Sequence, residues 1–385
     1  MEKLRIGVVG LGTVGAQVLW QLSRRPDVEA TGFEMFSPGH SRGAAGGENR
    51  LYRSIELGDP RYGVLVARAN AVWQDLEAAS GRELRTETGV LAMGAPDSEQ
   101  MARGLRFAVE TGLPHRVYDA GELHTRHPQF ALDPGDIALW DQQAGFIRPE
   151  LSVLTAAGLA EGNGAVIHRN ARVLDVSQGA GGPVVTTAEG AHRFDRLVVA
   201  AGGWTGKLLP DMREIVETRR LISSWHFGTT PGYLRGMVPF LRAEPTYCYG
   251  IPTADSSAVK IGLGYYDHLE VEDPDTVPRV VRPEELAPFQ EKIRRYLPGL
   301  DPEPMRTETY LETYTATRRE WIAPHPEMGD VLVLGGFSGH GFKICTAIGE
   351  IGADLAVGDQ PALDIAFLAL GRDAAPADGP VSQMP

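Results

Sequence analysis

A glycine-rich turn near the start of the chain constrains the fold more than any other feature of the sequence. Residues 4–10 (LRIGVVG) are apolar and β-branched, which predicts a short, fully buried strand. Residues 13–24 carry an apolar side chain at every fourth position, which predicts a helix. A strand, a glycine turn, a helix and a second predicted strand over 29–35 follow one another as in a dinucleotide-binding βαβ unit.

The glycines of this turn, Gly10, Gly12 and Gly15, have the spacing G-x-G-x-x-G. The first permits the tight turn, the second lets the backbone approach a pyrophosphate, and the third lets the helix pack closely on the strand. Glu34 closes the second strand about twenty residues later, where a carboxylate accepts hydrogen bonds from ribose hydroxyls. An acidic residue there would repel the 2′-phosphate of NADP, so the pattern predicts NAD or FAD without distinguishing between them.

Composition and charge exclude several classes of protein. With 385 residues, 43% of them hydrophobic, the chain is long enough for roughly two to three domains. A net charge of −13 lacks the basic balance of a protein that binds nucleic acid or an anionic membrane. Cys248 and Cys345 cannot form a disulfide framework, and the sequence has no CxxC metal spacing and no transmembrane run. We expect a cytoplasmic enzyme without a metal, as a monomer or small homo-oligomer.

The other predicted elements indicate a nucleotide-binding domain that is interrupted by a second domain. Buried apolar patterns recur at 61–80 (a helix ending at Gly81), 164–176 and 193–202 (strands), 330–335 (a strand) and 342–357 (a helix). Between them lie a turn-rich middle with strand-like pieces at 89–93 and 137–140, an alternating stretch over 216–265 that predicts an antiparallel sheet facing a ligand, and a helix at 284–297.

We therefore predict an α/β fold with a discontinuous, Rossmann-like nucleotide-binding domain and an α+β substrate domain built on an antiparallel sheet. The predicted nucleotide-binding segments, which bind FAD if the resemblance given below holds, are 1–85, 145–215 and 325–385, and the predicted substrate-binding segments are 86–144 and 216–324. The last dozen residues are rich in proline and glycine and are expected to be disordered.

Several basic side chains stand in unusual surroundings. Arg50 and Arg53 end the glycine-rich stretch 40–53 and could meet anions together, although two solvated surface arginines would give the same pattern. Lys343 closes GGFSGHGFK at a predicted helix start, where a cation is misplaced unless an anion lies nearby or the side chain reaches solvent. Lys260 interrupts an apolar strand, so it is a candidate for electrostatic catalysis or an exposed strand lysine.

Taken together, these segments resemble the monomeric sarcosine oxidase and N-methyltryptophan oxidase family of FAD-dependent amine oxidases. The resemblance covers nearly the whole chain and is carried by VVGLGTVG, FSPGH, NRLYR, LVARANAVWQDLE, TGVL, LVVAAGGWTGKLL, YGIP, KIG, TYTAT and GFSGHGFK. Two parts of the resemblance are the most specific: the motif GFSGHGFK, and the distance between Glu34 and the motif NRLYR.

The resemblance implies a role for each candidate residue. Arg53 and Lys343 would clamp the substrate carboxylate, and Tyr249 and Tyr314 would line the substrate cavity. Arg50 would lie close to the flavin ring, and Lys260 would speed the reaction with oxygen through a water near flavin N5. The positions implied to contact FAD are Gly10, Gly12, Thr13, Val14, Gly15, Glu34, Met35, Ser41, Gly43, Arg50, Val173, Ala201, Gly202, Trp204, Gly339, His340, Gly341 and Lys343.

Two positions depart from the family pattern. The cysteine that bonds covalently to the flavin in relatives is replaced by Glu312 in LETYT, so we expect dissociable FAD, with an adduct at Cys345 as a remote alternative. Gly264 stands where sarcosine oxidase has a pocket histidine, which puts sarcosine itself in doubt as the substrate.

The expected activity is oxidation of an amino acid or a secondary (N-alkyl or cyclic) amino acid by oxygen, giving an imine and hydrogen peroxide. A flavin-dependent dehydrogenase or tailoring oxidase with another electron acceptor remains an alternative. So do an NAD-linked dehydrogenase or imine reductase that uses the same glycine turn, and a non-catalytic flavin-binding protein.

Overall fold

The structure, a computed structural model, describes residues 2–243 and 247–368. Its strands, in chain order, are β1 Leu4–Val9, β2 Val28–Glu34, β3 Arg50–Tyr52, β4 Arg85–Glu87, β5 Val90–Gly94, β6 His115–Tyr118, β7 Ile137–Asp141, β8 Gly145–Ile147, β9 Val166–Arg169, β10 Val173–Gly179, β11 Gly182–Thr187, β12 Gly190–Arg193, β13 Arg196–Val199, β14 Glu217–His226, β15 Phe240–Arg242, β16 Cys248–Pro252, β17 Val259–Leu263, β18 Leu269–Glu270, β19 Arg306–Tyr314, β20 Trp321–Pro324 and β21 Val331–Gly335. Its α-helices are α1 Gly15–Ser23, α2 Tyr62–Ser80, α3 Glu99–Thr111, α4 Ala120–Arg126, α5 Pro149–Gly162, α6 Thr205–Leu208, α7 Pro283–Tyr296 and α8 Cys345–Val357.

A six-stranded sheet carries the glycine turn. Its strand order is β20-β21-β13-β1-β2-β9, and every pair is parallel except β20 with β21. Helices α1, α2, α5 and α8 pack together in one apolar core on one face, while Val176 of β10 and Val185 of β11 pack against the other. Burial of both faces explains why the strands are almost continuously apolar. Strand β1 lies between β2 and β13, so the strand order changes direction at β1. Parallel sheets of this kind bind ligands at the carboxyl ends of the strands where the order changes, which here is the end of β1.

The predicted βαβ unit is confirmed. The first strand, the first helix and the second strand fall within one or two residues of the predicted limits. Helix α2 ends, as predicted, at Gly81, whose φ of +66° is a left-handed conformation that glycine adopts easily. The predicted strand at 330–335 and the predicted helix at 284–297 are also present.

Two of the predicted strands were drawn too long. The stretch 164–176 is two strands, because the chain turns at Asn170, with a φ of +54°, and leaves the parallel sheet for the small sheet β10-β11-β12. The stretch 193–202 likewise contains the end of β12 and the whole of β13, which belong to different sheets. A continuous apolar pattern indicates that a stretch is buried, but it does not indicate to which sheet each of its residues belongs.

A nine-stranded sheet forms the second part of the molecule. Its order is β18-β14-β17-β16-β15-β5-β7-β6, with β19 paired along β14. The pairs β14–β17, β16–β17 and β15–β16 are antiparallel, which confirms the prediction for 216–265. The predicted strands at 89–93 and 137–140 are β5 and β7, but the middle of the chain also forms helices α3 and α4, which the turn-rich composition concealed.

Sheet membership follows the predicted segments with two exceptions. Strand β4 crosses the predicted limit after residue 85 and pairs with β8. Strand β20 falls inside the predicted substrate segment 216–324 and nevertheless extends the six-stranded sheet. The domain limits themselves stay a prediction, and the expected disorder at the C-terminus lies outside the described residues. Within the described residues, no helix is long and apolar enough to cross a membrane, and no group of three or more histidine, cysteine, aspartate or glutamate residues could hold a metal ion.

Candidate active site

The glycine turn has the geometry that a dinucleotide requires. Gly10 has a φ of +86°, and a Cβ there would lie 2.6 Å from the carbonyl oxygen of Ala200. A Cβ on Gly15 would lie 1.8 Å from the carbonyl oxygen of Gly10, so only glycine lets α1 pack this closely. At Gly12, by contrast, a Cβ would meet nothing within 4 Å, so the backbone there faces open space. Two glycines thus serve packing, and the middle one leaves room for a ligand.

Glu34 is fixed at the end of β2 as an ionised carboxylate. It is 4% exposed, and its two oxygens accept hydrogen bonds from the backbone N–H of Leu11 and of Phe36, both at 2.9 Å. His40 Nε2 lies 3.5 Å from Oε1. Burial alone would raise the pKa of Glu34, but His40 and the two amides outweigh it and lower the pKa. The carboxylate is therefore ready to accept from a hydroxyl.

A cavity of about 540 Å³ opens along this turn, and we call it the cofactor cavity. Its size lies in the range typical of small-molecule sites. It is lined by most of the predicted cofactor residues, namely Gly10, Gly12, Thr13, Val14, Glu34, Met35, Gly43, Arg50, Val173, Ala201, Gly202, Trp204, Gly339 and Gly341.

A smaller cavity of about 70 Å³ adjoins the first, and we call it the inner cavity. Four residues line both cavities and form their shared wall: Arg50, Glu312, Gly339 and Phe342. The predicted substrate residues Arg53, Lys343, Tyr249 and Tyr314 all line the inner cavity. Residues distant in sequence are thus brought together beside the cofactor cavity.

Arg53 and Lys343 line the inner cavity, and Glu56 joins them in a buried cluster behind its wall. Arg53 is 7% exposed, and Lys343 and Glu56 are each 5% exposed. Lys343 Nζ donates to Glu56 Oε2. Burial alone would raise the pKa of Glu56, but Lys343 and Arg53 outweigh it and lower the pKa, so Glu56 is ionised. Burial and Arg53 lower the pKa of Lys343, against the opposing effect of Glu56.

The apolar side of the inner cavity is aromatic and contains a histidine that the sequence analysis missed. His268 Nδ1 lies 2.9 Å from the hydroxyl of Tyr314, and its Nε2 lies 3.2 Å from the carbonyl oxygen of Leu263. Burial lowers the pKa of His268 to about 4, so the ring is neutral near pH 7. Gly264 stands at the position of the pocket histidine of sarcosine oxidase, but the turn that follows Gly264 places His268 in the inner cavity.

Arg50 is held rigidly in the shared wall. Its Nη1 donates to the carbonyl oxygen of Asn49 at 2.9 Å, and its Nη2 donates to that of Ala44 at 2.7 Å. Its guanidinium carbon lies 5.6 Å from the centre of the Tyr310 ring. These contacts fix a positive charge between the two cavities.

Comparison with known proteins gives this geometry its context. The model of the FAD-dependent oxidoreductase family matches residues 5–355. The chain belongs to this family. It is 32% identical to the monomeric sarcosine oxidase of Streptomyces avermitilis over 356 residues, which is 91% of this chain and 92% of that protein. It is 28% identical to the N-methyl-L-tryptophan oxidase of Citrobacter koseri over 373 residues, covering 95% and 98% of the two chains. The resemblance seen in the motifs is confirmed.

Solved structures confirm the fold. NikD, an amino acid oxidase essential for nikkomycin biosynthesis, superposes with a TM-score of 0.84 at 23% identity, covering 98% of this chain and 100% of that one. Glycine oxidase from Geobacillus kaustophilus superposes with a TM-score of 0.80 at 19% identity, covering 97% and 100%. The predicted α/β fold with a Rossmann-like FAD-binding domain is correct, and the protein is an FAD-dependent oxidoreductase.

The polar groups of the cofactor cavity fit FAD. Thr13 Oγ1 is buried, lines the cavity and has no hydrogen-bond partner within the described residues, so it can donate to a ligand oxygen. Gly12 leaves space for the pyrophosphate, and Glu34 offers its lone pairs to ribose hydroxyls. These residues would hold the adenosine half of FAD, and the shared wall lies at the other end, where the inner cavity begins.

Lys260 lies behind the cavities, and its implied role toward oxygen stays a prediction. The residue is 0% exposed and lines neither of the two cavities. Its Nζ donates to the carbonyl oxygens of Gly47, at 2.9 Å, and of Asn49. Burial and Arg50 lower the pKa of Lys260 well below its ordinary value. Both hydrogen bonds join Lys260 to the glycine-rich loop that precedes Arg50.

Glu312 and the cysteines bear on how FAD is attached. Glu312 lies on β19 in the shared wall, and burial raises the pKa of its carboxyl against the opposing effect of Arg50. Cys345 and Cys248 are free, buried, and line neither cavity. Burial raises the pKa of both thiols, that of Cys248 to about 12, which makes each a poor nucleophile.

The remaining predicted residues are placed differently from the expectation. Ser41 is exposed and does not line the cofactor cavity, while Gly15 acts through packing. His340 and Lys343 line the inner cavity instead of the cofactor cavity. The last helix begins at Cys345 after a 3-10 turn over Phe342–Ile344, so Lys343 precedes the helix and is not in its first turn.

Glu56 is the most informative residue that sequence analysis missed. It follows Arg53 by three positions in a short turn, where an acidic residue looks like an ordinary surface carboxylate. The available signal was indirect: two buried cations require a counter-charge. The anion suggested by the misplaced charge of Lys343 is thus supplied, in part, by the protein itself.

Proposed function

We propose that this enzyme oxidises an amino acid or a secondary (N-alkyl or cyclic) amino acid with oxygen, giving an imine and hydrogen peroxide. One observation carries the proposal: two buried cations, Arg53 and Lys343, line the inner cavity, which is partly aromatic and shares a wall with the cofactor cavity. The names of the relatives, which include sarcosine oxidase and N-methyl-L-tryptophan oxidase, support the same class of substrate.

The cations of the inner cavity suit a carboxylate group. Lys343 is paired with Glu56, and Arg53 acts electrostatically on both Glu56 and Asp141, so buried charges of both signs meet beside the cavity. Buried charges are tolerated best when they are balanced and hydrogen-bonded. Arg53 and Lys343 would each donate charge-assisted hydrogen bonds to the substrate carboxylate.

The carboxylate anchor would orient the rest of the substrate. With one end held by Arg53 and Lys343, the carbon next to nitrogen points toward the shared wall, and Tyr249 and Tyr314 enclose the amine. Such fixed placement converts a bimolecular encounter into an effectively unimolecular step. The cavity volume of about 70 Å³ favours a small side chain or a small ring.

The overall reaction is balanced by oxygen and water. A CH–NH group loses two electrons and two protons to become C=N, and O₂ takes up both to become H₂O₂. FAD, when bound, supplies the two-electron chemistry that links the halves of the reaction. The chain's own task is to bind the carboxylate, exclude water from the aromatic cavity and fix Arg50 at its wall.

A dehydrogenase that uses another electron acceptor is the second candidate, and the position of Lys260 favours it. A lysine that speeds the reaction with oxygen should reach the flavin, directly or through a water. Lys260 instead donates to two backbone carbonyl groups and lines neither cavity. A peroxide assay separates the two activities.

We further propose that FAD is held without a covalent bond. A carboxyl group at position 312 cannot replace the linking thiol, and both cysteines lie away from the cavities. We also propose that the protein is a cytoplasmic monomer or small homo-oligomer whose partners are an amino acid and oxygen. Its two cysteines are free thiols, and its net charge is −13.

An anaerobic substrate screen tests the proposal. Sarcosine, glycine, L-proline and N-methyl-L-tryptophan are added to the yellow holoenzyme, and the flavin absorbance is followed. At least one acid should bleach the flavin, and admission of air should restore the colour and release peroxide. Full bleaching without peroxide would support the dehydrogenase. If no amino acid bleaches a flavin that dithionite reduces normally, the proposed substrate class is wrong.

A further inference from the structure

His340, in the wall of the inner cavity, has an acceptor beside each of its two ring nitrogens. Its Nε2 lies 3.0 Å from the carbonyl oxygen of Arg318, and its Nδ1 lies 3.1 Å from Oε1 of Glu320. A neutral imidazole has only one N–H and can satisfy one acceptor, whereas the imidazolium has two. The hydrogen bond at Nε2 and the carboxylate at ion-pair distance from Nδ1 together favour the doubly protonated ring.

Glu320 needs that positive charge. It is 0% exposed, its Oε2 accepts from the Tyr62 hydroxyl, and its Oε1 has no hydrogen bond of good geometry within the described residues. A buried carboxylate without a nearby cation is strongly unfavourable. The ion pair with His340 supplies the compensation at Oε1.

The backbone and the ring of Tyr62 fix this arrangement. Arg318 has a φ of +61°, an uncommon conformation that is kept by the hydrogen bonds of its turn, including Thr315 Oγ1 to the carbonyl oxygen of Arg319 at 2.6 Å. The turn directs the Arg318 carbonyl group at His340. Tyr62 packs edge-on against the imidazole, with ring centroids 5.3 Å apart, and orients Glu320 from the other side.

We propose that Tyr62 and Glu320 are positioning residues that hold His340 as a fixed imidazolium at the inner cavity, where its charge strengthens binding of the substrate carboxylate and raises the reduction potential of FAD. In using the substrate carboxylate, this proposal rests on the proposed function; the effect on FAD does not. Positive charge beside the cofactor stabilises the additional electron density of its reduced form.

The surroundings of His340 are consistent with this assignment. Burial alone would lower the pKa of His340, but Glu320 and the Arg318 carbonyl outweigh it, and the pKa is raised despite the opposing charge of Lys343. Burial and Glu320 raise the pKa of Tyr62, so its hydroxyl keeps the proton that it donates.

Nitrogen-15 NMR of histidine-labelled holoenzyme tests the protonation state directly. Of the ten histidines, the His340 signals are assigned by their loss in His340→Gln. At about pH 7.5, one unit above the ordinary pKa of histidine, both ring nitrogens of His340 should be protonated. In Glu320→Gln the ring should be neutral at the same pH. A neutral His340 ring in the unaltered enzyme would overturn the proposal.

The reduction potential of bound FAD tests the consequence. Glu320→Gln should weaken the preference for reduced over oxidised FAD about tenfold, which lowers the two-electron potential by about 30 mV. Tyr62→Phe should lower it by a smaller amount, and Glu161→Gln, which removes a surface partner of Arg169, should leave it unchanged. An unchanged potential in both Glu320→Gln and Tyr62→Phe would overturn the assignment.

A double variant separates a positioning role from a structural one. If Glu320 acts through His340, then Glu320→Gln should have no further effect on the potential once His340→Gln is present. Simple additivity of the two shifts would overturn the proposal. Neither the NMR signal nor the potential requires a substrate, so failure of the proposed amine oxidation would be seen separately, in the anaerobic screen.

Discussion

Removing the charge of Lys343 should weaken substrate binding and leave an unbalanced carboxylate behind. In Lys343→Met the long apolar side chain retains most of the packing, while the buried partner of Glu56 is lost. A charge-assisted hydrogen bond to a substrate carboxylate is worth about 1.5–3 kcal/mol. At a factor of ten for every 1.4 kcal/mol, kcat/KM should fall roughly 10- to 150-fold.

The same substitution should also lower stability. Breaking a buried ion pair costs about 3–5 kcal/mol, and Arg53 remains near Glu56, so we expect a loss of about 3 kcal/mol in the free energy of unfolding. Adding Glu56→Gln should restore most of this stability without restoring substrate binding. Lys3→Met, at an exposed lysine, is the matched control and should change neither quantity.

The assay measures kcat/KM for the best amino acid found in the screen and for the corresponding amine that lacks the carboxylate, together with denaturant unfolding of each variant. The loss of kcat/KM in Lys343→Met should be confined to the amino acid. If the amine suffers the same loss, or if the amino acid suffers none, Lys343 does not bind the carboxylate.

Three further substitutions, one of them with a matched control, test the attachment and chemistry of FAD. Glu312→Cys should restore the thiol of the relatives at the shared wall and leave part of the flavin bound after acid precipitation; complete release would mean that position 312 does not face the flavin. Asp275 bonds Trp204 at 2.8 Å, Lys207 at 2.7 Å and Arg172, all at the cofactor cavity, so Asp275→Asn should speed FAD release several-fold as followed by flavin fluorescence, since exposed pairs contribute about 0.2–1 kcal/mol each. Asp273→Asn, which weakens the contact to Lys207 and leaves the bonds of Asp275 to Trp204 and Arg172 in place, should have a smaller effect, and equal effects would contradict the account. If the enzyme is the proposed oxidase and Lys260 has the role that the resemblance implies, Lys260→Met should slow oxidation of the reduced flavin by oxygen far more than reduction by substrate in stopped-flow measurements; equal slowing of both would identify Lys260 as a support of the Arg50 loop.

The sequence predicted the parts of the fold and the site that depend on local chemistry. Gly10 and Gly15 each have a steric reason that the turn imposes on any chain, Gly12 leaves space for a ligand, and Glu34 has one place at the end of its strand. The antiparallel sheet over 216–265 could be predicted because apolar and polar positions alternate along its strands. These features are encoded within short stretches of the chain.

The parts that were missed depend on contacts between distant segments. Whether Lys260 faces a cavity or the back of a loop depends on the path of residues 47–49, which no pattern in its own strand reveals. Glu56 and Glu320 are buried only because Lys343 and His340 meet them there. His268 enters the inner cavity from a turn, so neither strand alternation nor helical spacing marks it.

A crystal structure of the FAD complex with methoxyacetate, the ether analogue of sarcosine that cannot form an imine, tests the central claim most directly. We predict FAD along the Gly10 turn with its ring at the shared wall, and the acid in the inner cavity with its carboxylate within hydrogen-bond distance of Arg53 and Lys343. A carboxylate bound elsewhere, with Glu56 alone facing Lys343, would contradict the assignment of the inner cavity as the amino-acid site.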